Sequence, residues 1–149
     1  DYSYQNVTFA ERDHVIVGMA SAYAAKQRHH FSDQPLKHAA GYAALRIKAV
    51  KLLCAPLMRI LETVAESDFY LLSIAVDREL RGEGVGSMLL DAVEDRARDS
   101  GATRLSLDVS AKNEGARRFY EHRGMTVESQ WPKRLVIPGV KLLRMTKTL

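Results

Sequence analysis

At 149 residues, with 46% hydrophobic and 27% charged side chains, the chain has the length and composition of one globular domain that can bury its own core. A net charge of +4 and an isoelectric point near 9.3 favour an anionic ligand. The basic residues are interspersed with acids and form no long like-charge run, so nucleic acid is not an indicated partner. Arg46, Lys48, Lys51 and Arg59 interrupt the most apolar stretch, 36–64, which excludes a membrane span there. The single Cys54, among Leu52, Leu53 and Ala55, excludes an internal disulfide and points to a buried thiol in a reducing, cytoplasmic setting. The first residue is Asp1 rather than Met, which leaves an upstream start open.

In chain order, "NVTFAERDHVIVGMASAY" (6–23) sets β-branched and aromatic residues on both sides of the polar Glu11-Arg12-Asp13, predicting a hairpin. A polar stretch from Lys26 ends in Pro35, after which apolar residues recur at helical spacing to about Leu53. Pro56 splits that helix before "LMRILETV". "DFYLLSIAV" (68–76) is short and nearly all apolar, which predicts a central strand. From Gly84 to Ser100, Val85, Leu89, Ala92, Val93 and Ala97 share one face and acids and arginines the other, an amphipathic helix stopped by Gly101. "RLSLDVS" (104–110) alternates as a strand. Asn113 caps a helix over 114–123 that Gly124 ends, and the strands "MTVESQW" and "VKLLRMTKTL" close the chain around Pro132 and Pro138-Gly139.

"LRGEGVGSML" (80–89) packs three glycines into five positions just ahead of a helix, the outline of a phosphate site. A Walker loop needs a lysine that is missing between Gly86 and Ser87. A dinucleotide fingerprint would use Gly82, Gly84 and the later acid Asp108, but Ser87 stands where its third Gly or Ala belongs. Four residues, Asp77 to Leu80, also separate the strand from the first glycine.

Arg81, Gly84 and Gly86 follow the spacing R/Q-x-x-G-x-G/A after a hydrophobic strand, and "NEGARRFYEHRGM" (113–125) supplies an Asn, a small residue, a Phe-Tyr pair and a helix-ending Gly. In both motifs the chain resembles the GCN5-related N-acetyltransferase (GNAT) superfamily. The resemblance covers residues 68–149 well and the remainder thinly. It implies an α/β (α+β) fold with a mixed, mostly antiparallel central sheet, splayed middle strands and flanking helices, in a single domain over 1–149. Members of the family usually begin with a strand and two helices, whereas this chain opens at the hairpin and carries a helical insertion over 26–67. The missing elements are expected either upstream of Asp1 or replaced by that insertion, which would cover the acceptor cleft or make a dimer contact.

The activity the resemblance implies is direct transfer of an acetyl group from acetyl-CoA to a primary amine. It places the CoA pyrophosphate on the backbone of Arg81, Gly82, Glu83, Gly84, Val85, Gly86 and Ser87, with further cofactor contacts at Asn113, Ala116 and Tyr120. The pantetheine arm would lie along Ile74, Ala75 and Val76, where a backbone N–H would also hold the carbonyl oxygen. Tyr120 would protonate the departing thiolate, and Asp68, at the start of the 68–76 strand, would draw a proton from the amine. Other roles stand beside these: Tyr120 as a core tyrosine, Asn113 as a helix cap, Asp68 as a strand-end charge. His29, His30 and His38 match no metal-ligand spacing, so no metal is expected, and the methionines read as core filler. The competing functions are a non-catalytic acyl-CoA-binding module of the same fold and a dinucleotide-binding domain.

Overall fold

The computed structural model describes residues 6–26, 64–132 and 141–149. Strands β1 (Val7–Arg12) and β2 (Val15–Ala24) form the opening hairpin. Its turn falls on Asp13 and His14, both at positive φ, one residue later than the polar triplet predicts. Two left-handed residues make the tight turn whose twist suits a hairpin, so Arg12 stays in the strand and pairs with Val15.

After β3 (Asp68–Val76) come a 3₁₀ turn over Arg78–Leu80, helix α1 (Val85–Asp99), β4 (Arg104–Ser110), helix α2 (Glu114–His122), β5 (Thr126–Trp131) and β6 (Leu142–Thr148). The six strands form one sheet in the order β1-β2-β3-β4-β6-β5. Every neighbouring pair is antiparallel except β3 and β4, which the α1 crossover joins in parallel. The mixed, mostly antiparallel sheet is thus the one expected.

Alternation decides which face is covered. Ala20, Ala22, Phe69, Leu71, Leu105, Leu107, Val109, Leu143 and Met145 share one face with Leu89, Leu90, Val93 and Ala97 of α1 and Tyr120 of α2. Gly18 lets α1 lie close on β2, since a Cβ there would sit 3.0 Å from Leu89 Cδ1 and 3.1 Å from the Ala75 carbonyl oxygen. On the opposite face Tyr23, Ala25, Val64 and Tyr70 form a smaller cluster. Met125 and Met145 are core residues as expected, but Met19 and Met88 are exposed. Met58, Cys54, the three loop histidines and all of the expected insertion between 27 and 63 lie outside the described residues. Among the described residues no helix is long and apolar enough to cross a membrane.

Candidate functional site

The two central strands part. Parallel pairing of β3 with β4 runs from Asp68 and Arg104 to Leu71 and Leu107 and stops there. Against β2, Ser73 pairs with Ser21 but Leu71 with Ala22, so Leu72 is the extra residue of a bulge. Such a bulge bends and twists its strand, turning the rest of β3 away from β4. Asp77 donates its N–H to the Val17 carbonyl on β2. By the alternation of an antiparallel ladder the backbone of Ala75 also faces β2, while the N–H and C=O of Ile74 and Val76 face the gap. Ala75 therefore brings no free backbone group to the gap, unlike its two neighbours. The Val76 carbonyl accepts instead from Arg81 Nε at 3.4 Å.

At the mouth of the gap the chain turns through Gly82 and Gly84, both near φ +90°. In this turn Arg81 and Glu83 donate to the carbonyls of Arg78 and Leu80, and Met88 donates to Gly84. Among the described residues the N–H groups of Gly82, Gly84, Val85, Gly86 and Ser87 carry no such backbone bond. No side chain caps α1 and no acid lies in its first turn, so the positive end of the helix is left for an outside anion. Glu83 is the one acid of the turn, and its carboxylate is drawn off to Arg12 at the hairpin end, 2.9 Å away. Gly86 lies against the Phe119 ring, with room for only ordinary contact from an added Cβ at 3.6 Å.

Asn113 caps α2, its side chain accepting from the Ala116 N–H at 3.1 Å. That bond occupies the Ala116 donor, so Ala116 offers the gap a side chain rather than a free N–H. Tyr120 is buried on the helix-covered face, its ring set edge-on to Phe119 with centroids 5.2 Å apart. Burial pushes its phenol up to about 12, so at neutral pH it holds its proton.

Asp68 is not at the gap. It is 2% exposed and paired with Arg104 Nε at 3.2 Å, at the end of β3 where the strands are still joined. At the rise of an extended strand it lies roughly 20 Å from Ile74 to Val76. A carboxylate buried against an arginine at that distance draws no proton from an amine in the gap; it neutralises Arg104, which also reaches Glu128.

Sequence reasoning missed a polar group at the apex. On the face away from the helices, the Tyr70 hydroxyl donates to Asp108 Oδ2 at 2.9 Å, and Arg144 donates to both carboxylate oxygens at 2.7 and 2.8 Å. Asp108 is the first β4 residue beyond the last β3 pair. The Tyr23 ring packs on Tyr70, centroids 5.7 Å apart, and the Arg144 guanidinium lies 5.9 Å from the Tyr70 centroid. Burial, the Asp108 charge and the bond to it all raise the Tyr70 phenol above its ordinary value. A signal was present in the sequence: a central strand whose in-facing partners are Leu105, Leu107 and Val109 seldom carries an acid unless something pairs with it. The dinucleotide reading instead gives Asp108 to a ribose. Its carboxylate is committed to Arg144 and Tyr70 on the opposite face of the sheet from α1, which removes the acid that the dinucleotide reading needs.

Among the described residues no three His, Cys, Asp or Glu gather as a metal site. A model of the acetyltransferase (GNAT) family matches residues 2–125. Among solved structures, a crystal structure of an acetyltransferase is 28% identical over 99% of this chain and 71% of its own length, with a TM-score of 0.68. Ard1 from Thermoplasma volcanium is 17% identical over 97% of this chain and 70% of its own, with a TM-score of 0.63. Naa50 from Arabidopsis thaliana, in complex with the bisubstrate analogue CoA-Ac-MVNAL, is 17% identical over 99% of this chain and 82% of its own, with a TM-score of 0.62. No curated protein matches the chain.

Proposed function

The chain belongs to the acetyltransferase (GNAT) family, and from that premise we propose that residues 1–149 act as one domain that moves an acetyl group from acetyl-CoA to a primary amine by direct transfer. The observation that carries the reading is the set of N–H groups on Gly82, Gly84, Val85, Gly86 and Ser87 that have no backbone partner, at the mouth of a gap where β3 is no longer paired with β4. A pyrophosphate fits that nest on three counts: donors in one concavity, a helix N-terminus without acids, and Glu83 held aside by Arg12. Acetyl-CoA, when bound, supplies the acetyl thioester.

The remaining roles follow from this chain's own groups. Ile74 and Val76 offer strand-edge hydrogen bonds to an extended pantetheine amide, and one of their N–H groups is placed to hold an oxyanion. Tyr120, protonated at neutral pH, donates its proton to the leaving thiolate. Arg81 adds positive charge beside the nest while closing over the Val76 carbonyl. Asp68 is assigned no chemical step.

Calorimetric titration tests the reading, with acetyl-CoA as ligand and NAD as control. Saturable acetyl-CoA binding that weakens in Gly84→Val is the expected result. The added side chain has open space around it, but φ +89° strains it and disturbs the nest. Binding of NAD without acetyl-CoA would overturn the proposal. Turnover with amine acceptors separates an enzyme from a binding module: in an enzyme, Tyr120→Phe loses on the order of 10²-fold or more in kcat while retaining acetyl-CoA affinity.

A further inference from the structure

The end of the β1–β2 hairpin is tied to the segment that runs from β3 into α1 at three points. The Asp77 N–H donates to the Val17 carbonyl at 2.9 Å, Gly18 lets Val85 and Leu89 close on β2, and Arg12 reaches Glu83 at 2.9 Å. The first two contacts are fixed by backbone and packing. The third joins two half-exposed side chains.

An ion pair this exposed adds little to folding, because water already solvates both charges and pairing costs the side chains freedom. Its place gives it another effect. Glu83 stands between Gly82 and Gly84, both at positive φ, and its own N–H is taken by the Leu80 carbonyl at 3.3 Å. It therefore brings the nest no donor, only a negative charge. A free carboxylate there would be drawn to the same donors and helix end that attract a phosphate, and would repel the phosphate. Arg12 fixes it at the hairpin end instead. Glu11, the neighbouring acid, does not compete for Arg12: successive strand residues point to opposite faces, and Glu11 lies 3.4 Å from His14 Nδ1. The upstream acids Asp77 and Glu79 alternate with Arg78 and Arg81 and precede the first glycine.

We infer that the hairpin end sets the charge of the cofactor nest, with Arg12 a positioning residue that acts through Glu83 and touches no phosphate. The inference rests on the acetyltransferase reading, which puts the CoA pyrophosphate at this turn. It gives a binding role to a strand end that belongs to neither sequence motif, and it makes acetyl-CoA affinity depend on contact between hairpin and turn. Were Arg12 only a positive charge near the ligand, Arg12 and Glu83 would contribute independently. Under positioning they do not: the Glu83 carboxylate harms binding only once Arg12 is gone.

The test is calorimetric titration of the full chain with acetyl-CoA in wild type, Arg12→Gln, Glu83→Gln and the double variant. A released carboxylate beside a phosphate at a protein surface costs on the order of tenfold in affinity, and Arg12→Gln is expected to bind that much more weakly. Glu83→Gln should tighten binding about twofold in the wild-type background but about tenfold in Arg12→Gln, which returns the double variant to wild-type affinity and excludes a folding defect. The loss in Arg12→Gln should also shrink as salt rises from about 50 to about 500 mM. An equal effect of Glu83→Gln in both backgrounds, a double variant as weak as Arg12→Gln, or an Arg12→Gln that binds like wild type overturns the inference. Failure of the wild-type chain to bind acetyl-CoA would instead sink the acetyltransferase reading itself.

Discussion

Tyr70 and Asp108 meet at 2.9 Å across the point where β3 and β4 separate, and that bond joins a β3 residue still paired with β4 to the first β4 residue beyond the last such pair. The carboxylate is held from the other side by Arg144, itself nearly buried, with side-chain exposures of 7% for Arg144 and 8% for Asp108. A pair this enclosed is costly to halve. Arg144→Ala leaves Asp108 buried without its cation and is expected to lower stability by about 3–5 kcal/mol in equilibrium denaturation. Replacing Asp108 and Arg144 together by apolar residues of similar volume should recover most of that loss. A single variant within about 1 kcal/mol of wild type would show that water reaches the carboxylate.

Gly86 separates folding from binding. It lies inside α1, away from positive φ, so Gly86→Ala gains helix propensity worth roughly 0.5–1 kcal/mol. The new methyl meets Phe119 Cζ at 3.6 Å and Val76 Cγ2 at 3.8 Å, both ordinary contacts, but it stands between the free end of β3 and α2. The expected outcome is an unchanged or raised melting temperature with weaker acetyl-CoA binding. A variant that binds as tightly as wild type would place the ligand elsewhere.

Gly18 behaves in the opposite way. Its Cβ would sit 3.0 Å from Leu89, 3.1 Å from a backbone oxygen of β3 and 3.3 Å from Val85, and the oxygen has no room to yield. Gly18→Ala is expected to push α1 off the sheet at about 1–3 kcal/mol, read as a lower denaturation midpoint. Because Val85 opens α1 beneath the glycine turn, acetyl-CoA affinity should fall with it.

Local chemistry explains what was legible. β3, β4 and both helices are bounded by strong signals: apolar runs or strict alternation, Asn113 as a cap, Gly101 and Gly124 at positive φ as stops. The glycine turn was legible because φ near +90° twice within three residues admits little else. What escaped depends on pairs far apart in sequence. Arg12 to Glu83, Tyr70 to Asp108 and Arg144 to Asp108 each span 36 residues or more, and no spacing rule announces them. Asp68 was misplaced for the same reason, since its partner Arg104 also lies 36 residues on.

Tyr70 and Tyr120 together carry an alkaline signature. Both phenols are raised in the folded protein, Tyr120 by burial to about 12, Tyr70 by burial and then by the Asp108 charge, so the folded state keeps protons that the unfolded chain gives up near 10. A raised folded value means stability that is fully present below pH 10 and lost as pH climbs above it. Between pH 10 and 12 each such tyrosine contributes a slope of about 1.4 kcal/mol per pH unit. Stability measured by denaturation across that window should therefore fall more steeply in wild type than in Tyr120→Phe, by about one proton's worth of slope. Equal slopes would mean that the Tyr120 hydroxyl is hydrated in the folded protein and that burial does not shift its phenol.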